Sequence, residues 1–143
     1  MRNTARWAAI LGLTATALGT PLAGQALAAP ATPNSLYAPS VLVLTVGHGA
    51  NADTATPQRA VTLNCAPAPS GTHPAAADAC AELNIAKGDF SALPASGNVW
   101  CTKIWKPVVV TAQGVWQGKR VSYEHTFPNE CMKNASQTRV FDF

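Results

Sequence analysis

Within seven consecutive positions, Cys101-Thr102-Lys103-Ile104-Trp105-Lys106-Pro107, the chain places a half-cystine, two lysines and a proline. Pro107 fixes its own φ and pushes Lys106 towards extended geometry. Ile104 and Trp105 are bulky residues that favour an extended backbone, and Cys101 can be anchored elsewhere in the fold by a disulfide. A serine protease binds its substrate extended, so a loop already held that way loses little conformational entropy on docking. The segment therefore reads as a bait loop: Lys103 enters the primary specificity pocket, Lys103–Ile104 is the bond presented, and the cut loop is not released. The stretch offered for contact runs from Val99 and Trp100 through Cys101 and Thr102 to Trp105.

A lysine in a loop is ordinarily just a solvated charge, and Lys133 has the same spacing from a cysteine as Lys103. Conformation separates the two, because Lys133 falls in a predicted helical turn, which cannot thread a cleft. Lys106 is the poorer candidate for the primary pocket because Pro107 follows it. Trp105, just past the presented bond, suits an interface anchor, where tryptophan is favoured.

Other chemistry finds no candidate. The histidines, His48, His73 and His125, lie in two loops and a strand, and no Gly-x-Ser-x-Gly elbow accompanies them. His-Glu-x-x-His, Walker and dinucleotide-binding glycine patterns are absent from the sequence. The reading is a protein that is not an enzyme and needs neither cofactor nor metal. Four cysteines, Cys65, Cys80, Cys101 and Cys131, all follow the leader, and no two are nearer than fifteen residues. Zinc sites use closer ligand pairs. Two disulfides are expected instead, with three pairings open at this level.

The chain of 143 residues opens on an address. Arg2 and Arg6 precede a mostly apolar, uncharged run from Trp7 to Leu18, and Ala26-Leu27-Ala28 offers a small-x-small cleavage site. That run is short for a bilayer span. Residues 1–28 are read as a signal peptide, 29–35 as a flexible segment and 36–143 as a single small exported domain. Of the ten Lys and Arg, Arg2 and Arg6 leave with the leader, so eight face seven Asp and Glu, a formal charge of +1. That balance argues against nucleic acid or an anionic membrane as partner. The expected location is extracellular.

The elements that must position the loop follow from pattern. Tyr37 to Val46 contains the continuous apolar run Val41-Leu42-Val43-Leu44, a strand expected to be covered on both faces by core, helix or a partner chain. Arg59 to Cys65 alternates as a half-buried strand, and Ala66 to Pro74 is a proline-rich loop. A helix is predicted over Ala75 to Ala86, capped by Thr72 or His73, with Ala76, Cys80 and Leu83 on one face and Gly88 as its stop. Asp89 to Val99 is irregular. Val108 to Thr111 and Arg120 to Phe127 form a β-hairpin around Gly114 and Gly118, with Val121, Tyr123, His125 and Phe127 on one face. Pro128 ends it, Asn129 to Asn134 makes a helical turn carrying Cys131, and Val140 to Phe143 is read as a short closing strand.

Several stretches resemble the Streptomyces subtilisin inhibitor family. They are Leu36-Tyr37-Ala38-Pro39-Ser40 with Val41-Leu42-Val43-Leu44-Thr45-Val46-Gly47, Arg59-Ala60-Val61-Thr62-Leu63, Cys65-Ala66-Pro67 and Pro69-Ser70-Gly71-Thr72-His73-Pro74. Gly114-Val115-Trp116-Gln117-Gly118-Lys119-Arg120-Val121-Ser122-Tyr123-Glu124 and Asn129-Glu130-Cys131 complete the match, which spans Leu36 to Phe143. The resemblance implies an α+β fold: a five-stranded antiparallel sheet with two short helices. It further implies Cys65–Cys80 and Cys101–Cys131 bridges and a homodimer formed through the sheets. It implies a secreted inhibitor of trypsin-like and subtilisin-like serine endopeptidases with its reactive bond at Lys103–Ile104. With that pairing Asn129 lies beside the loop, where its amide is expected to hydrogen-bond loop carbonyls. The competing reading is an extracellular binding module that uses its sheet face on something other than a protease.

Overall fold

The computed structural model describes residues 38–94 and 99–143. The signal peptide and flexible-segment assignments, 1–28 and 29–35, lie outside the described residues, as does the start of the 36–143 domain.

Four long strands follow the hydrophobic patterning. They are β1 (Ser40–His48), β2 (Thr56–Ala66) and, after a two-residue β3 (Ser70–Gly71), β4 (Val108–Trp116), which turns back into β5 (Lys119–Phe127). The sheet order is β3-β2-β1-β4-β5, antiparallel throughout. Helix α1 (Ala76–Ile85) packs on one face of this sheet, and α2 (Glu130–Ala135) follows β5 directly. The five strands, two helices and two disulfides agree with the architecture expected from the sequence.

The core forms where register brings apolar side chains opposite one another. Leu42 faces Leu63, and Leu44 faces Val61 on one side and Ala112 on the other. All are buried, and α1 covers them with Ala79, Cys80 and Leu83. The Cys65–Cys80 bridge ties that helix to β2. At the helix end the Gly88 N–H donates to the Leu83 carbonyl at 2.8 Å. Gly88 has φ +75°, and a Cβ there would sit 2.2 Å from the Trp116 ring, so both backbone sign and space require glycine.

Within one chain the Val41–Leu44 run is covered on one face only: Val41 and Val43 remain 42% and 45% exposed while Leu42 and Leu44 are fully buried. An antiparallel sheet with its helix on one side leaves the other face to alternate residues. Further along that outer face Val109 and Thr111 are covered, because the β1–β2 loop folds over them. Its Ala50 carbonyl accepts from the Thr126 hydroxyl, and the Ala52 N–H donates to Glu124.

Val140 to Phe143 is not a strand. The segment is held instead by one carboxylate: Glu82 Oε2 accepts from the Thr138 hydroxyl and from the Arg139 and Val140 amides at 3.0, 2.7 and 3.1 Å. The fifth strand is Ser70–Gly71, paired with Leu63 and Asn64 inside the stretch read as loop. Neither Thr72 nor His73 caps α1, whose N-cap is Ala75 with no side-chain cap. His73 Nδ1 accepts from the Ala75 N–H, which leaves Nε2–H to donate to the Val140 carbonyl, so this buried histidine staples the chain end to the helix start. The hairpin turn is Gln117–Gly118 alone, and Gly114 lies within β4, opposite Leu42.

Candidate functional site

From Val99 to Pro107 the backbone has no regular secondary structure, yet it is fastened at several points. Cys101 is bonded to Cys131 of α2. The Lys106 N–H donates to the Pro128 carbonyl at 2.9 Å, and the Pro107 carbonyl accepts from the Gly49 N–H at 3.1 Å. Between these ties stands Asn129, whose side chain is saturated in a way only an amide allows. Its Oδ1 accepts from the Met132 N–H and caps α2, while its Nδ2 donates to the carbonyls of Thr102 at 2.9 Å and Ile104 at 3.0 Å. The residue is 7% exposed, so water competes little for these bonds.

Carbonyls two residues apart that turn to the same amide are the alternation of an extended chain. With those of Thr102 and Ile104 drawn inward, the Lys103 carbonyl between them is left to face away from the protein. The helix cap thus becomes a loop support: Asn129 is held by α2 through its oxygen and holds the loop through its nitrogen.

The side chains point the same way. Lys103 is exposed, and among the described residues its ammonium has no hydrogen-bonding or ionic partner. Trp100 is fully exposed, Ile104 and Trp105 are each 66% exposed and Val99 is half-exposed. Large apolar side chains in water flank a free cation on both sides, which is the composition of a binding surface. An open cleft of about 640 Å3 runs beside the segment, bordered by Trp100, Thr102, Lys103, Pro128, Asn129 and Met132. Among the described residues no acid, histidine or free thiol lines it. Lys133, the competing lysine, lies in α2 and donates to the Phe141 carbonyl at 3.1 Å, and burial draws its pKa down.

The structure therefore brings Cys101, Thr102, Lys103, Ile104, Asn129 and Cys131 together, with Val99, Trp100 and Trp105 exposed alongside. Cys65 and Cys80 serve the core elsewhere. Sequence reasoning missed the Pro128 carbonyl, where Pro128 reads only as a strand breaker, and the Gly49 amide, which reads only as a strand end. Main-chain partners carry no residue-type signal. His48 and His125 are exposed on β1 and β5 and His73 is buried, and among the described residues no cluster of His, Cys, Asp or Glu could hold a metal ion.

Comparison with known proteins identifies the family. The subtilisin inhibitor-like family matches residues 38–129. The chain belongs to the subtilisin inhibitor-like family. It is 69% identical over its whole length, and the whole of the relative, to a subtilase-type protease inhibitor of Streptomyces coelicolor. It is 66% identical, again over the whole of both chains, to the trypsin inhibitor STI2 of Streptomyces longisporus. Among solved structures it resembles Streptomyces caespitosus sermetstatin, crystallised in complex with Bacillus licheniformis subtilisin. That match has a TM-score of 0.69 and 41% identity and covers 73% of this chain and 99% of that one. The family is one of protease inhibitors, not of enzymes.

Proposed function

We propose that this chain is a secreted inhibitor of serine endopeptidases, trypsin-like and subtilisin-like, which binds as a substrate does through Lys103–Ile104. The observation that carries the reading is the Asn129 amide bonded to the carbonyls on either side of Lys103, beside the Cys101–Cys131 bridge. Relatives support both target classes: one is called a trypsin inhibitor, and a solved structure pairs sermetstatin with subtilisin.

The protease serine attacks the Lys103 carbonyl carbon, and if the bond to Ile104 breaks, the proton goes to the new Ile104 amine. Hydrolysis requires that amine to leave. The bridge keeps the residues before the bond attached to α2, and Asn129 grips the carbonyls on both sides of it. The Lys106 and Pro107 main-chain bonds hold the stretch beyond. The amine thus stays beside the acyl-enzyme at high effective concentration, and religation outruns water. In a trypsin-like pocket the Lys103 ammonium pairs with a carboxylate, a desolvated contact that is costly to lose from one side.

The exposed Val41 and Val43 face of β1 supports the homodimer implied by the resemblance, with two sheets stacked through those residues, which a mass measurement in solution tests. The deciding experiment for inhibition is a titration of trypsin and subtilisin with the purified protein. Stoichiometric loss of activity is expected with both enzymes. Full activity of both at excess inhibitor would exclude the reading.

A further inference from the structure

The side chain of Lys106 has no part in presenting the bond, yet its place is fixed. Its backbone is tied on both sides: its own N–H reaches Pro128, and the next carbonyl, that of Pro107, accepts from Gly49. Its side chain nonetheless stands exposed, with no hydrogen-bonding or ionic partner among the described residues. No Asp or Glu occurs from Phe90 to Tyr123, whereas Lys103, Lys106, Lys119 and Arg120 all fall in that stretch. Glu130, the acid nearest the loop's tether in sequence, borders a separate cleft with Arg59 and Lys133. The docking end of the molecule therefore carries two uncompensated cations three residues apart, with the exposed Trp105 between them.

We propose that Lys106 is a second specificity-determining residue. It meets an anionic surface on the side of the protease cleft that receives the residues after the presented bond. The proposal rests on the reading of Lys103–Ile104 as the docked bond. Lys103 selects enzymes with a carboxylate in the primary pocket. Lys106 adds a separate preference for enzymes that are acidic beyond the bond. An exposed charge at the edge of an interface acts mainly on the association rate and its salt dependence, because it steers the encounter before close contact. Holding the lysine on a tethered backbone keeps that charge in one place relative to Lys103.

The control is built into the fold. Lys119 opens β5 beside Trp116, at the far end of β4 from Val108, so about 27 Å of strand separates the two ends. Lys106→Glu and Lys119→Glu change the net charge equally, but at about 50 mM salt the second lies beyond the screening length. Association and dissociation rates of wild type and both variants are measured with trypsin and subtilisin, at about 50 mM and about 1 M salt. Lys106→Glu is expected to associate about three- to tenfold more slowly with at least one enzyme at low salt. Lys119→Glu should stay within about twofold of wild type, and the difference should close at high salt. Equal or faster association by Lys106→Glu, an equal loss in Lys119→Glu, or an effect confined to dissociation would overturn the proposal. Failure of the wild type to inhibit either enzyme removes the reading of the reactive bond itself, and with it the role of Lys106. Matching thermal melts of the three proteins establish that the fold is unchanged.

Discussion

Replacing Asn129 by aspartate tests the loop support by itself. Asn129→Ala would mix two effects, since it removes both the cap on the Met132 N–H and the two bonds to the loop. Asparagine and aspartate are about equal as helix caps, so Asn129→Asp preserves the cap and exchanges one group, the NH2, for an oxygen. That oxygen would face the Thr102 and Ile104 carbonyls and can donate to neither. Two neutral hydrogen bonds are worth about 0.5–1.5 kcal/mol each, or roughly 1–3 kcal/mol together. At about 1.4 kcal/mol per factor of ten, inhibition of trypsin should weaken about five- to 150-fold. Repulsion between oxygens places the result towards the upper end. The loop should also be cut faster, because the Ile104 amine is less well retained. The assay is an inhibition constant together with the mass of the inhibitor after hours with catalytic trypsin, which should show one hydrolysed bond after Lys103. A variant as potent as wild type and no more readily cut would show that the Asn129 bonds hold nothing that matters.

Lys103→Ala should weaken trypsin inhibition by more than about a hundredfold at an unchanged melting temperature, since its side chain is exposed and makes no hydrogen bond or ion pair among the described residues; equal potency would move the contact elsewhere. Cys101→Ser with Cys131→Ser opens a loop with sequence separation 30, a stability loss of about 3–4 kcal/mol in the chain-entropy model. This variant should behave as a substrate cut after Lys103 in a gel assay, whereas intact inhibition would end the tethering argument. Burial chiefly, and then the Asp89 charge, raise the Tyr123 pKa above its ordinary 10.0. The folded state thus favours neutral tyrosine, and the resulting stability is complete below pH 10 and lost as pH climbs through the raised value. Tyr123→Phe should therefore lose less melting temperature than wild type between about pH 9 and pH 11. Parallel curves would show that Tyr123 does not set the alkaline limit.

Much of the site was legible because its signals are local. Cys101, Lys103 and Pro107 stand within one short stretch, Val121 to Phe127 alternates, and Gly88 follows a helical face. Each of these depends on the type of a residue and its near neighbours, which a linear string displays directly. The helical turn that removes Lys133 from contention was legible for the same reason.

The remainder depended on groups that meet only after folding. Asn129 reaches carbonyls 27 and 25 positions away, and Glu82 gathers the chain end from 57 positions away at Arg139. Such bonds leave no periodicity, and their main-chain partners could belong to any residue. For that reason the closing strand expected at Val140 to Phe143 gave way to a carboxylate clamp, and the fifth strand came from two residues inside a proline-rich loop. The exposure of Val41 and Val43 was likewise decided by which face α1 took, since an apolar run reads alike whether one side or both are covered. The residue types alone placed a lysine two positions after a half-cystine and four before a proline. The fold decided which way its carbonyl faces and what holds it there, because a hydrogen bond needs two groups brought within about 3 Å.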